Sequence, residues 1–163
     1  MRAERAPALP VIDDQIIFIG DSRTVGMGKI IGDDGNIWSA KEGIGFNWMS
    51  SVGVPQIRYN VGEGTRVVFL MGVNDVYDIT KIDTYTTYFQ ALKEQWEPLG
   101  AKMYYVSVNP ITWDSVAYGK ITNEKIELWN DIMAESLPEG MFYIDTYHVI
   151  YGNVYAGDGL HYD

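Results

Sequence analysis

Apolar residues follow two rhythms along the chain. Short continuous runs occur at QIIFIG (15–20), NIWSA (36–40), TRVVFLMG (65–72), KMYYVSV (102–108) and MFYIDT (141–146). Runs apolar on both faces suit strands of a parallel sheet covered from both sides. Between the last three runs the apolar positions recur every three or four residues. Tyr85, Tyr88, Phe89, Leu92 and Trp96 mark a helix over 83–100, with Pro98 and Gly100 as stop signals. Ile126, Trp129, Ile132, Met133 and Leu137 mark a second over 122–140, with Thr122 or Asn123 as its cap and Pro138 as its stop. Shorter helices are predicted over 24–31 and 46–52. Strand–helix alternation of this kind predicts a three-layer α/β/α sandwich, flavodoxin-like, with a five-stranded parallel sheet and right-handed crossovers. No repeat or low-complexity tract interrupts it. Residues 1–14 read as an N-terminal linker or cloning remnant, and 15–163 as one domain.

Composition narrows this picture. A length of 163 residues suits one domain with a real core, and 47% hydrophobic with 13% aromatic content is globular rather than disordered. The formal net charge of −10 argues against nucleic acid as a partner, since phosphate binding needs a basic face. The absence of cysteine excludes disulfides and thiolate-held metals, and the sequence holds only two histidines and no H-E-x-x-H. No stretch approaches the roughly 20 apolar residues that span a bilayer. Residues 1–15 lack the apolar centre of a signal peptide. Location is left between the cytoplasm and the mature part of a secreted or cell-surface bacterial protein, with the second as the expectation.

Open parallel sheets bind ligands at the carboxyl ends of their strands. There the chain carries Asp21-Ser22-Arg23, then Gly43 and Gly45, then Asn74-Asp75, and near its end Asp158 and His161. Ser22, between a strand and a helix, can be a nucleophile, a helix cap, or part of a phosphate or flavin cradle in "GDSRTVG". Acyl transfer needs a nucleophile, a base, a group orienting the base, and oxyanion donors. Ser22, His161 and Asp158 supply the first three. The Ser22 N–H, the Asn74 amide and the N–H of Gly43 or Gly45 supply the donors. A second D-x-x-H, Asp145…His148, competes with Asp158…His161, and spacing alone does not choose between them. Asp21 is expected to stiffen the turn and Asp75 to support the site by a hydrogen bond. Arg23 is expected to face solvent. Trp48, Trp113 and Tyr118 either stack on a sugar, line an acyl pocket or simply pack.

Gly20-Asp21-Ser22, a glycine after the second strand, Gly72-Val73-Asn74-Asp75 and Asp158-Gly159-Leu160-His161 together resemble the four blocks of the SGNH (GDSL-type) hydrolases, in the family's order and over nearly the whole chain. The resemblance implies a flavodoxin-like sandwich and a serine esterase or acyltransferase without metal or cofactor. It implies Ser22 as nucleophile, His161 as base, Asp158 as its orienter, and an oxyanion hole from Ser22, one glycine and Asn74. The stretch "KEGIGFN" is shorter than the family's second block, and within it Gly45 is favoured over Gly43 as the oxyanion donor. The family usually adds a helix after the histidine, whereas the sequence given continues only to Asp163, so either its C-terminus is truncated or one sheet face is less covered than usual. No G-x-S-x-G elbow occurs, against an α/β-hydrolase. The expected substrate is a small-molecule or glycan ester, with acetyl as the acyl group. An O-acyltransferase acting on glycan or cell-wall hydroxyls is the alternative, and a non-catalytic phosphate- or flavin-binding module is the reading from another class.

Overall fold

The computed structural model describes residues 15–113 and 119–162. The segment 1–14 and Tyr118 lie outside them. Five strands form one parallel sheet: β1 (Ile16–Gly20), β2 (Ile37–Ala40), β3 (Arg66–Leu70), β4 (Lys102–Val106) and β5 (Phe142–Ile144). Their order is β2-β1-β3-β4-β5. This is the flavodoxin-like order, and its switch point lies between β1 and β3, where two crossovers diverge and leave a crevice. Each run of the sequence became a strand. β1 and β2 end where their runs end, whereas β3, β4 and β5 stop two residues earlier because the residues after them leave the ladder to build loops at that crevice.

The helices are α1 (Ser22–Ile31), α2 (Phe46–Trp48), α3 (Lys81–Trp96), α4 (Asn123–Ser136) and α5 (Tyr147–Ile150). A π-helical turn, Met49–Gly53, extends α2. The short α5 carries no sequence stripe that would reveal it. On α3 the buried residues are Ile82, Tyr85, Phe89, Leu92 and Trp96, spaced at three and four, so one stripe faces inward. On α4 they are Ile126, Trp129 and Met133, joined by a polar residue, Asn130. These stripes meet the alternate β residues Ile17, Ile19, Val67, Phe69, Met103 and Tyr105, all buried. Phe69 and Phe89 rings lie 4.7 Å apart, and Tyr85 meets Trp129 edge-on at 5.6 Å. Tyr105 satisfies its buried hydroxyl by donating to the Met71 carbonyl at 2.6 Å and accepting from Trp129 at 2.9 Å.

The opposite sheet face carries Phe18, Val68, Tyr104 and Phe142 in register. Phe18 stacks on Trp38 at 4.2 Å and Tyr104 on Phe142 at 5.0 Å. Helix α1 packs beside Trp38: a Cβ added at Gly28 would lie 3.2 Å from that ring. At the β5 edge Phe142 and Ile144 remain 48% and 38% exposed.

Asn130 and Asn123 explain how α4 shapes the crevice. Asn130 accepts from the Val108 N–H at 2.8 Å and donates to its carbonyl at 2.9 Å. Asn123 does the same for Ile111, at 2.8 and 2.9 Å. Thr122, not Asn123, caps the helix, accepting from the Lys125 N–H at 3.3 Å. Each amide thus replaces the sheet partner that the chain loses when it leaves β4.

Candidate active site

The site starts from a tight exit at the end of β1. Gly20 lies so close to α1 that a Cβ there would sit 1.9 Å from Thr24 Oγ1, so only glycine lets strand and helix meet at this angle. Asp21 is the helix cap: its carboxylate accepts from the Arg23 N–H at 3.0 Å. Ser22 therefore opens the helix. Its N–H is one of the groups that a helix start leaves without an intrahelical partner, at the positive end of the dipole. Burial pushes the Asp21 carboxyl up to about 6, a rise that the nearby Arg23 charge opposes.

The chain end supplies the next members. Asp158 Oδ1 accepts from the N–H groups of Leu160 at 2.8 Å and His161 at 2.7 Å, which folds D-x-x-H into a tight turn. Its Oδ2 lies 2.6 Å from His161 Nδ1. His161 Nε2 lies 2.8 Å from Ser22 Oγ, across 139 residues of sequence. The hydrogen bond from His161 is the main reason that the Asp158 carboxyl is held down at about 2. At neutral pH the imidazole therefore has an ionised carboxylate on one nitrogen and the serine hydroxyl on the other.

The rival pair has the same local geometry. Asp145 Oδ2 lies 2.6 Å from His148 Nδ1. The His148 side chain is 75% exposed, and no serine stands on it among the described hydrogen bonds. Spacing could not separate the two pairs; the crevice does, because only the loop after α5 returns to α1.

Asn74 follows β3. Its amide donates to the Ile44 carbonyl at 2.8 Å, which fixes the plane of the side chain and leaves its second N–H. A cleft of about 410 Å³ is lined by Ser22, Gly26, Gly43, Asn74, Leu160 and His161, with Lys29 and Glu42 at its rim. The last two face each other at 3.5 Å and are exposed. Gly43 adopts φ +69°, a left-handed conformation suited to glycine. Gly45, the favoured donor from sequence, borders a neighbouring hollow with Phe46, Asn47 and Asp75 instead.

Asp75 is buried at 3% exposure and ties these loops together. It accepts from the Phe46 N–H at 2.9 Å, the Tyr85 hydroxyl at 2.7 Å and Lys81 Nζ at 2.6 Å. The hydrogen bond to Asp75 raises the Lys81 pKa. Burial, with the Asp75 charge second, raises that of Tyr85 well above the usual phenol range.

Arg23 corrects an expectation. It does not face solvent: its guanidinium, partly buried, donates to the carbonyls of Leu160, Asn109 and Pro110. Sequence gave no signal for this, because all three acceptors are backbone atoms more than 85 residues away. Trp48 packs against the core, whereas Trp113 backs Gly159 and remains 46% exposed. Among the described residues no group of three or more potential metal ligands occurs.

No protein-family model matches the sequence, and no curated protein does either. Solved structures do. A GDSL-like lipase from Bacteroides thetaiotaomicron superposes with TM-score 0.65 at 19% identity, covering 92% of this chain and 80% of that one. The C-terminal catalytic domain of peptidoglycan O-acetyltransferase A from Streptococcus pneumoniae, carrying a methylsulfonyl adduct, gives 0.58 at 21% identity, covering 93% and 81%. A catalytic mutant of an acetylxylan esterase from Geobacillus stearothermophilus gives 0.59 at 15% identity, covering 94% and 89%. Identities this low speak for the fold, and that fold spans nearly the whole chain.

Proposed function

We propose, from the SGNH-hydrolase fold that this chain carries, that the protein is a serine ester hydrolase acting on short acyl esters, acetyl foremost. The observation that carries the reading is the contact chain from Ser22 Oγ to His161 Nε2 at 2.8 Å and from Nδ1 to Asp158 Oδ2 at 2.6 Å. A serine hydroxyl is a weak nucleophile until a base takes its proton as it attacks. In this reading Ser22 Oγ adds to the ester carbonyl carbon while its proton passes to His161 Nε2. Asp158 holds the tautomer with Nδ1 protonated and stabilises the imidazolium. The carbonyl oxygen becomes an oxyanion facing the Ser22 N–H and the free Asn74 N–H. A third donor comes from the loop after β2. Gly45 was expected there; Gly43 stands on the cleft wall, and we assign the N–H to it. Collapse breaks the ester C–O bond, and the departing alcohol takes the proton from His161. Water then repeats the sequence on the acyl-serine, which releases the acid and returns the proton from His161 to Ser22 Oγ.

The cleft wall supports a short acyl group and a polar alcohol. Leu160 is its one apolar side chain among the described residues; the rest are glycines, polar groups and the charged Lys29 and Glu42. A long acyl chain would find little apolar surface there. The acetylxylan esterase and the O-acetyltransferase of the same fold act on glycans by name. A glycan ester is accordingly the substrate class we assign, with transfer to a glycan hydroxyl as the second reading. The two share the acyl-serine and differ in whether water or a hydroxyl resolves it.

A serine-reactive phosphonate should label Ser22 stoichiometrically, and Ser22→Ala should abolish hydrolysis of p-nitrophenyl acetate and of acetylated xylan. Absence of labelling together with an undiminished rate in Ser22→Ala overturns the proposal. With a glycan acceptor in excess, acetylated acceptor as product selects transfer and free acetate selects hydrolysis.

A further inference from the structure

We infer that Arg23 is the positioning residue that holds the His161 loop against the helix carrying Ser22. The inference rests on the proposed roles of Ser22 and His161. Asp158 and His161 sit in a segment, 151–162, that contains neither helix nor strand. Apart from the bonds of Tyr151 and Asn153 back to α5, its other backbone anchors among the described hydrogen bonds go to one neighbour, the loop after β4. Thr112 donates its N–H to the Gly159 carbonyl at 2.9 Å and its hydroxyl to that of Ala156 at 3.1 Å. The Tyr162 hydroxyl donates to the Pro110 carbonyl. These contacts join two loops to each other and neither of them to α1.

Arg23 makes that connection. Nε donates to the carbonyl of Leu160, the residue before His161, at 3.0 Å. Nη1 donates to Asn109 at 2.6 Å and Nη2 to Pro110 at 3.1 Å. The guanidinium carbon lies 5.2 Å from the Tyr162 ring centroid, within cation–π range. One cation thus gathers both loops, and it is covalently next to Ser22. A rigid planar fork reaching three carbonyls in different directions is a task for arginine; a lysine ammonium on the same stem would satisfy only part of it. The same commitment leaves Arg23 unsuited to binding a substrate carboxylate, which would have to displace these carbonyls. Serine and base belong to elements 139 residues apart, and a displacement of about 1 Å between reacting groups can cost 10²-fold in rate.

The test uses the full chain with Arg23→Lys and Arg23→Ala. For p-nitrophenyl acetate we expect kcat to fall about tenfold in Arg23→Lys and about 10²-fold in Arg23→Ala, with KM changed less than about threefold. Added guanidinium chloride at low millimolar concentration should restore part of the rate in Arg23→Ala and none in Ser22→Ala. Hydrogen exchange supplies a readout independent of catalysis: amides of 156–161 should exchange at least about tenfold faster in Arg23→Ala, while those of β1 and β3 are unchanged. Unchanged kcat in Arg23→Lys, a rise in KM alone, or unaltered exchange at 156–161 would each overturn the inference. Should the wild-type protein prove inactive and unlabelled, the proposed function fails, and exchange alone still decides whether Arg23 clamps the loop.

Discussion

The buried carboxylate of Asp75 offers a quantitative test of how the loops after β2 and β3 are held. Asp75 receives three donors at 2.6–2.9 Å: Lys81 Nζ, the Tyr85 hydroxyl and the Phe46 N–H. Removing the Lys81 cation in Lys81→Met leaves a charged carboxylate buried with two neutral donors. A fully buried pair broken this way costs about 3–5 kcal/mol. The Lys81 side chain is 32% exposed, so solvent screens part of the interaction and about 1–2 kcal/mol is the fitting expectation. Asp75→Asn keeps the shape and can still accept from Tyr85 and Phe46 through one oxygen, but it turns an NH₂ toward Lys81. Losing charge-assisted bonds and opposing two donors should cost about 2 kcal/mol. In the double variant neither a bare carboxylate nor a donor–donor clash remains, so its cost should fall below the sum of the singles by about 1–2 kcal/mol. Urea unfolding of the four proteins measures this coupling. Additivity within about 0.5 kcal/mol would mean that the pair is not interacting as drawn.

Two further expectations concern the site itself. Asn74→Ala should lower kcat on p-nitrophenyl acetate by about 10²–10³-fold with little change in KM, because an oxyanion donor acts only once charge develops; a fall under threefold in steady-state assays would remove Asn74 from the oxyanion hole. Asp21→Asn should change the pH dependence of stability in a defined direction. The folded-state pKa of Asp21 is raised from 3.8 to about 6, so between those values the folded protein binds the extra proton and this residue's contribution to stability falls as pH rises. Asparagine can still cap α1 but does not titrate. Denaturant midpoints of the wild type should therefore drop relative to Asp21→Asn from about pH 4 to pH 6, and parallel profiles would contradict the assigned shift.

Much was legible in sequence because it depends on local physics. Continuous apolar runs of five to eight residues, rich in β-branched and aromatic side chains, suit covered strands, and stripes at three- and four-residue steps suit helices with one buried face. The four short blocks were visible because each needs particular atoms at a strand exit: no side chain at Gly20, a hydroxyl at Ser22, an amide at Asn74, an imidazole three residues from a carboxylate at His161. The tertiary structure decided what no local pattern encodes. It brought His161 rather than His148 to Ser22, since two identical D-x-x-H turns differ only in where their loops travel. It turned Arg23 inward onto three carbonyls, set Gly43 rather than Gly45 on the cleft wall, and gave Asn123 and Asn130 to the loop after β4. In each case the partner is a backbone atom or a loop distant in sequence. Side-chain pattern records which face of an element is apolar, whereas the acceptors that arginine and asparagine find are fixed only when the sheet order β2-β1-β3-β4-β5 sets the loops side by side.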